Sequence, residues 1–294
     1  MGIEWRWLAS FSASCLHAAD AIARGRKLVE PRLADVLTPP ALALREEIQN
    51  AGIPAARLWR NLLALGHHIE NNRELALTAS RKTVGGSAAN ETVASRIAGR
   101  IADLETAMRV VVPQLVDDLA MRARPLRELW DAYGPGLLKS IGQHTDDRLL
   151  IERAEIVLVH PICGGGGVAH LQNNSVHIEA VLTNNVPKLP EVIRLAWLIA
   201  QLNNDLPVFG ENVHPDRLPY VAALAMLPGA LQAAQDLEVG AYDPPIVELA
   251  LSSWLDEPQP SGTSDILIAW WQTYEETRPP WETALRALDK MLVG

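Results

Sequence analysis

Between His160 and Glu179 the chain gathers groups that bind metals or move protons. His160, Cys163, His170 and His177 fall within one short stretch, and imidazole nitrogen and thiolate sulfur are good zinc ligands. Their spacing matches no zinc finger or knuckle. Strand alternation also divides them: in Val176–Leu182, His177 and Glu179 share one face, while Val176, Ile178, Ala180 and Leu182 share the other. The expectation is an exposed His177–Glu179 pair on a half-buried strand, with no metal centre and no cofactor. His67 and His68 are neighbours on what reads as a helix, so their side chains should diverge rather than meet at one ion. Gly164–Gly167 invites a phosphate-loop reading, but that chemistry needs a glycine loop entering a helix. Here the run leads into strand-like sequence without a following Gly-Lys-Ser/Thr, and it reads as a mobile connection. Asp117-Asp118 and Asp146-Asp147 are adjacent pairs that fit a solvated surface, and no Gly-x-Ser-x-Gly elbow is present.

The elements that must position these groups change character past the midpoint. Up to about residue 150 the periodicity is helical. A helix is expected to open after Pro39-Pro40 and end near Gly52. The stretch 53–82 carries Leu58, Leu62, Leu65 and Ile69 on one stripe. A long apolar stripe through Val93, Ile97, Ile101, Leu104 and Met108 follows, with Pro113 and Pro125 dividing it and Gly134–Gly136 ending it. Thr83–Asn90 is small and uncharged and reads as a linker. This divides the chain into a helical N-terminal region, 1–84, and an α+β domain, 85–294. Near Ala154 the residues become β-branched and give a strand up to Pro161. A short strand, an Asn-Asn-Ser turn and a longer strand Val176–Leu182 complete one small antiparallel sheet. Helix returns after Leu189. Residues 256–264 read as an exposed loop.

Bulk properties exclude several classes. The 294 residues are 48% hydrophobic and 21% charged, average for a globular protein able to bury a full core. A net charge of −9 with no Lys/Arg-rich run argues against nucleic-acid partners, whose phosphates demand a basic face. No apolar run approaches the ~20 residues a membrane span needs, and the N-terminal stretch is a poor secretion signal. Two distant cysteines, Cys15 and Cys163, fit a reducing, cytoplasmic setting. Nine tryptophans stand against two phenylalanines. Trp5, Trp7, Trp270 and Trp271, if exposed, would form a homo-oligomer interface.

One helix stands out. In Glu191–Asp205, apolar side chains from Val192 to Leu202 wrap nearly the whole circumference, which places it in a domain's middle. Arg194 and Gln201 form its one polar stripe. The order of strand, glycine-rich loop, antiparallel strand, turn and "LPEVIRLAWLIAQL" resembles the catalytic core of gluzincin-type zinc metallopeptidases over roughly residues 90–240. In that family the helix carries His-Glu-x-x-His. The resemblance places the first histidine on Trp197, the glutamate on Leu198 and the second histidine on Gln201, and all three differ. No glutamate for the third ligand stands near Leu227–Leu237, where Pro228 and Gly229 are found. An unrelated mainly helical fold with a buried helix after a hairpin fits the same pattern.

The expectation is therefore a mainly helical α+β fold, zincin-like, with a small antiparallel sheet packed on a buried helix. Indole and alkyl groups cannot hold zinc or take a proton from water. The resemblance then implies a non-catalytic pseudo-peptidase that binds a peptide or protein beside Val176–Leu182 by strand addition. His160, His170, His177, Glu179 and Arg194 are the candidate binding residues. The alternatives are a hydrolase with an unfamiliar site built on those histidines and Cys163, and a structural assembly protein.

Overall fold

The computed structural model describes residues 4–86, 90–255 and 257–293. The chain opens with strand β1 (Glu4–Ala9) and helix α1 (Phe11–Ala23). Then come α2 (Pro31–Gln49), α3 (Ala55–Leu65), α4 (Asn72–Val84) and α5 (Glu91–Val111). Short α6 (Leu115–Arg122) leads into α7 (Arg124–His144). The remaining strands are β2 (Arg153–Val159), β3 (Gly167–His170) and β4 (Ser175–Glu179). Helices α8 (Glu191–Ala200), α9 (Pro207–Gly210), α10 (Leu218–Asp236), α11 (Pro244–Trp254), α12 (Thr263–Thr277) and α13 (Trp281–Met291) complete the chain. The class is mainly helical α+β. Among the described residues no helix is long and apolar enough to cross a membrane.

The sheet differs from the expected antiparallel one. Its order is β1-β2-β4-β3. β1 and β4 both pair parallel with β2, and β3 alone runs antiparallel, against β4. Residues 4–9 are thus a strand that the sequence reading missed, and they belong to a sheet whose other strands lie some 150 residues later. The hairpin between β3 and β4 turns where expected, with Asn174 in the left-handed region at φ 45°, a conformation asparagine tolerates. β4 stops at Glu179 rather than Leu182.

Three helical boundaries also move. Helix α2 runs through Pro39 and Pro40 instead of starting after them. Each internal proline deletes a hydrogen bond and costs ~3 kcal/mol, but the buried stripe Leu33, Leu37, Ala41, Leu44, Ile48 is continuous through them and packs on α5. Helix α7 likewise passes through Gly134–Gly136. Gly134 is there to make room: a Cβ would lie 2.5 Å from the Trp130 ring. The single helix expected over 53–82 is two, α3 and α4, with a turn at Gly66–Asn71 and Asn71 capping α4. Of the expected linker Thr83–Asn90, residues 87–89 lie outside the described residues; Thr83 belongs to α4 and Asn90 caps α5. Residue 256 of the 256–264 loop is outside them too.

One hydrophobic cluster runs from Cys15 to Leu288 and so spans both sides of residue 84. Trp270 and Trp271 are buried within it, in ring contact with Tyr274, and Trp270 also with Trp281. Trp5 packs edge-on against Trp130, and Trp7 lies beneath the Arg127 guanidinium. Trp270 and Trp271 therefore fill the core instead of forming an exposed interface, while Trp5 and Trp7 are half-buried against it.

Candidate functional site

The sheet has two unlike faces. Ile156, Leu158, Val176 and Ile178 turn to one side, where α8 packs on β3 and β4. The other side carries Glu155, Val157 and Val159 on β2, Ser175, His177 and Glu179 on β4, and His170 on β3, as the register requires. The alternation placing His177 and Glu179 together is correct, but the face is not exposed. Helix α1 lies against β2 on it, and both residues are buried, Glu179 completely. β4 is also interior, flanked by β2 and β3, so its backbone is already paired and no peptide can add there.

At one end of this polar face Glu179 organises the glycine loop. Its Oε1 accepts the N–H groups of Ile162 (3.1 Å) and Cys163 (2.8 Å), and Oε2 accepts that of Gly165 at 2.6 Å. His17 of α1 brings Nε2 to 2.8 Å from Oε1. Burial alone would raise this carboxyl, yet the hydrogen bond and charge of His17 and the backbone donors of Cys163 and Gly165 outweigh it and hold the group below its ordinary range. The glycine run is therefore an anion-binding nest filled by the protein's own carboxylate, not a mobile connection. Gly164 and Gly165 have φ of 78° and 132°, conformations that glycine alone adopts without strain. A Cβ on Gly165 would stand 2.7 Å from Arg194 Nη1. Arg194 in turn pairs with Glu191 at 3.1 Å, both buried on α8, and burial raises the Glu191 carboxyl against the pull of Arg194.

The middle of the face holds a histidine contact. His170 Nε2 and His177 Nδ1 are 2.9 Å apart, and the His177 ring also meets His17 edge-on at 5.0 Å. Burial, with His67 nearby, pushes His170 down to about 3. Burial, with His17 and the other histidines, pushes His177 well below its usual value. Both rings are neutral at pH 7. His160 lies apart from this contact: its N–H donates to Ser14 Oγ, and burial lowers its pKa. Neither Cys163 nor Cys15 is in a disulfide, and the backbone N–H of Cys163 donates to Glu179.

At the far end Glu155 meets His67 and His68. The two histidines converge, contrary to expectation, because α3 ends at Leu65 and they sit in the turn beyond it. Sequence reasoning missed His17, Glu155 and Glu191 altogether. A lone histidine in the small-residue helix α1 and a single charge inside the apolar run of β2 were the available signals.

The three positions at which the resemblance would put catalytic groups are all core. Trp197 Nε1 donates to Ala223 O of α10 at 2.7 Å, and its ring stacks near Trp254 at 5.2 Å. Leu198 presses on Gly167, where a Cβ would be 2.7 Å from its Cδ1. Gln201 is spent on the Trp197 carbonyl. Beside this core, a notch of about 130 Å3 opens between α7 and the loop after β4. Leu126, Leu129, Val181, Leu182 and Pro190 wall it, and Glu179 and Glu191 lie at its floor. Leu129 and Leu182 are exposed at its rim. Compared with family models, with curated proteins and with solved structures, the chain matches none.

Proposed function

We propose that the protein binds a segment of peptide or protein without cleaving it, on a scaffold akin to that of zinc metallopeptidases. The observation that carries this reading is the packing of Trp197, Leu198 and Gln201. Each is nearly fully buried, and the indole N–H and the amide are committed to backbone carbonyls. A hydrated cation has no donor set there. The binding surface moves from the edge of β4 to the notch at Leu129 and Leu182. Exposed leucines over a concave, mostly apolar lining are what an inserted aliphatic or small aromatic side chain requires. The hydrolase alternative loses support because His170 and His177 are both buried and face each other.

The test is selection of displayed random peptides on the immobilised full chain. Selected peptides should bind wild type intact and lose at least tenfold in affinity on Leu182→Asp or Leu129→Asp. Peptides indifferent to both substitutions, or cleaved during incubation, would overturn the reading.

A further inference from the structure

We infer that His67, His68 and Glu155 form a binding site for a divalent transition metal ion of the zinc type. Among the described residues these three make a group of ligand-type side chains whose donor atoms all lie within 4.8 Å of one another. His67 Nε2 is 3.0 Å and His68 Nε2 2.9 Å from the same oxygen, Glu155 Oε2. Donors on a tetrahedral ion with bonds of ~2.05 Å stand about 3.3 Å apart. Both nitrogen-to-oxygen separations are thus within a few tenths of an ångström of the spacing that an ion between them would set.

The fold holds these groups ready. Gly66 packs beneath Leu16, where a Cβ would lie 2.5 Å from its Cδ1, and this close approach brings the turn down onto the sheet. There the two ring centroids lie 3.9 Å apart with the planes tilted by 39°, and both Nε2 atoms reach Glu155 of β2. The His67 side chain is 1% exposed and fixed, whereas His68 is 42% exposed. One side of the site is thus open for entry and for a water as fourth ligand. Without metal, His67 Nε2 is in hydrogen-bond contact with Glu155 Oε2.

The charges facing the site set its strength. Arg6 on β1 reaches Glu155 Oε1 at 3.1 Å and opposes a cation. His170 and His177 lie close enough to feel His67 but are themselves neutral. Arg6→Gln should therefore tighten metal binding several-fold. This site is separate from α8 and does not depend on the peptide-binding reading.

The test uses the full chain freed of any affinity tag and stripped with chelator. Titrated with zinc, it should bind one equivalent, and cobalt should give the visible bands of a four-coordinate ion. His68→Ala, at an exposed position, and Glu155→Gln should each weaken binding at least tenfold while the protein still melts cooperatively. His214→Ala, at an exposed and distant histidine, should leave it unchanged. No binding at submillimolar zinc, or binding that survives both site substitutions, would overturn the assignment.

Discussion

Acidification should unfold this protein from within, through His170 and His177. The His170 pKa of about 3 in the folded state lies far below the ~6.5 of an unfolded chain. Above pH 7 the ring is neutral in both states and contributes no pH dependence. As the pH falls below 6.5, the unfolded chain takes up a proton that the folded one refuses, so stability drops until the pH reaches the folded value. For one such ring the loss between pH 7 and pH 5 is about 2 kcal/mol. His177 is shifted in the same direction by burial and its neighbours and adds a loss of the same sign. The assay is urea unfolding at pH 7, 6 and 5, followed through the emission of the nine tryptophans. His170→Gln keeps a hydrogen-bonding partner for His177 and removes one titrating ring. Its pH 7 stability will differ, but the decisive quantity is the slope: the variant should lose about 2 kcal/mol less than wild type on going to pH 5. Parallel curves for the two proteins would refute the claim that a sealed, uncharged ring sits at this position.

Three further outcomes rest on neighbouring geometry. Gly165→Ala forces a Cβ against the Arg194 guanidinium at φ 132° and should cost roughly 1–3 kcal/mol in urea unfolding; Gly99→Ala, with open space around it on α5, should be neutral or mildly stabilising. Glu179→Gln exchanges one acceptor oxygen for an amide that confronts a backbone N–H, and the loss should reach about 3 kcal/mol. Below pH 4 that difference should shrink, because the wild-type carboxylate contributes above its unfolded pKa and loses its contribution as the pH falls through the depressed folded one. Trp197→Ala removes an indole from between α8, α10 and α11 and should cost about 3–5 kcal/mol, read as a lowered urea midpoint.

Local pattern made much of this fold legible. The all-round apolar helix Glu191–Ala200 is buried on every side, β2 lies where the β-branched run begins, and Asn174 turns the hairpin. What pattern could not supply was the long-range partner. Alternation put His177 and Glu179 on one face, yet only the docking of α1, far away in sequence, decides that the face is dry. The glycine run was misread for the same reason. Its N–H groups do cradle an anion, but that anion is Glu179, across the sheet. Proline and glycine were overweighted as helix breakers: the stripe on α2 and the Trp130–Gly134 fit on α7 are tertiary gains that override local preference. His67 and His68 converge because their helix stops at Leu65, before either of them.

The parallel pairing of β1 with β2 also orders events in time. β1 is made before its neighbour Arg153–Val159, which emerges only after α1 to α7 have been made. The early helices can assemble from nearby contacts, while closing a loop of that span is entropically slow. Until it closes, β2 presents an unsatisfied flank to any passing strand, so the interval before β1 returns is when the nascent chain is most exposed to misassembly.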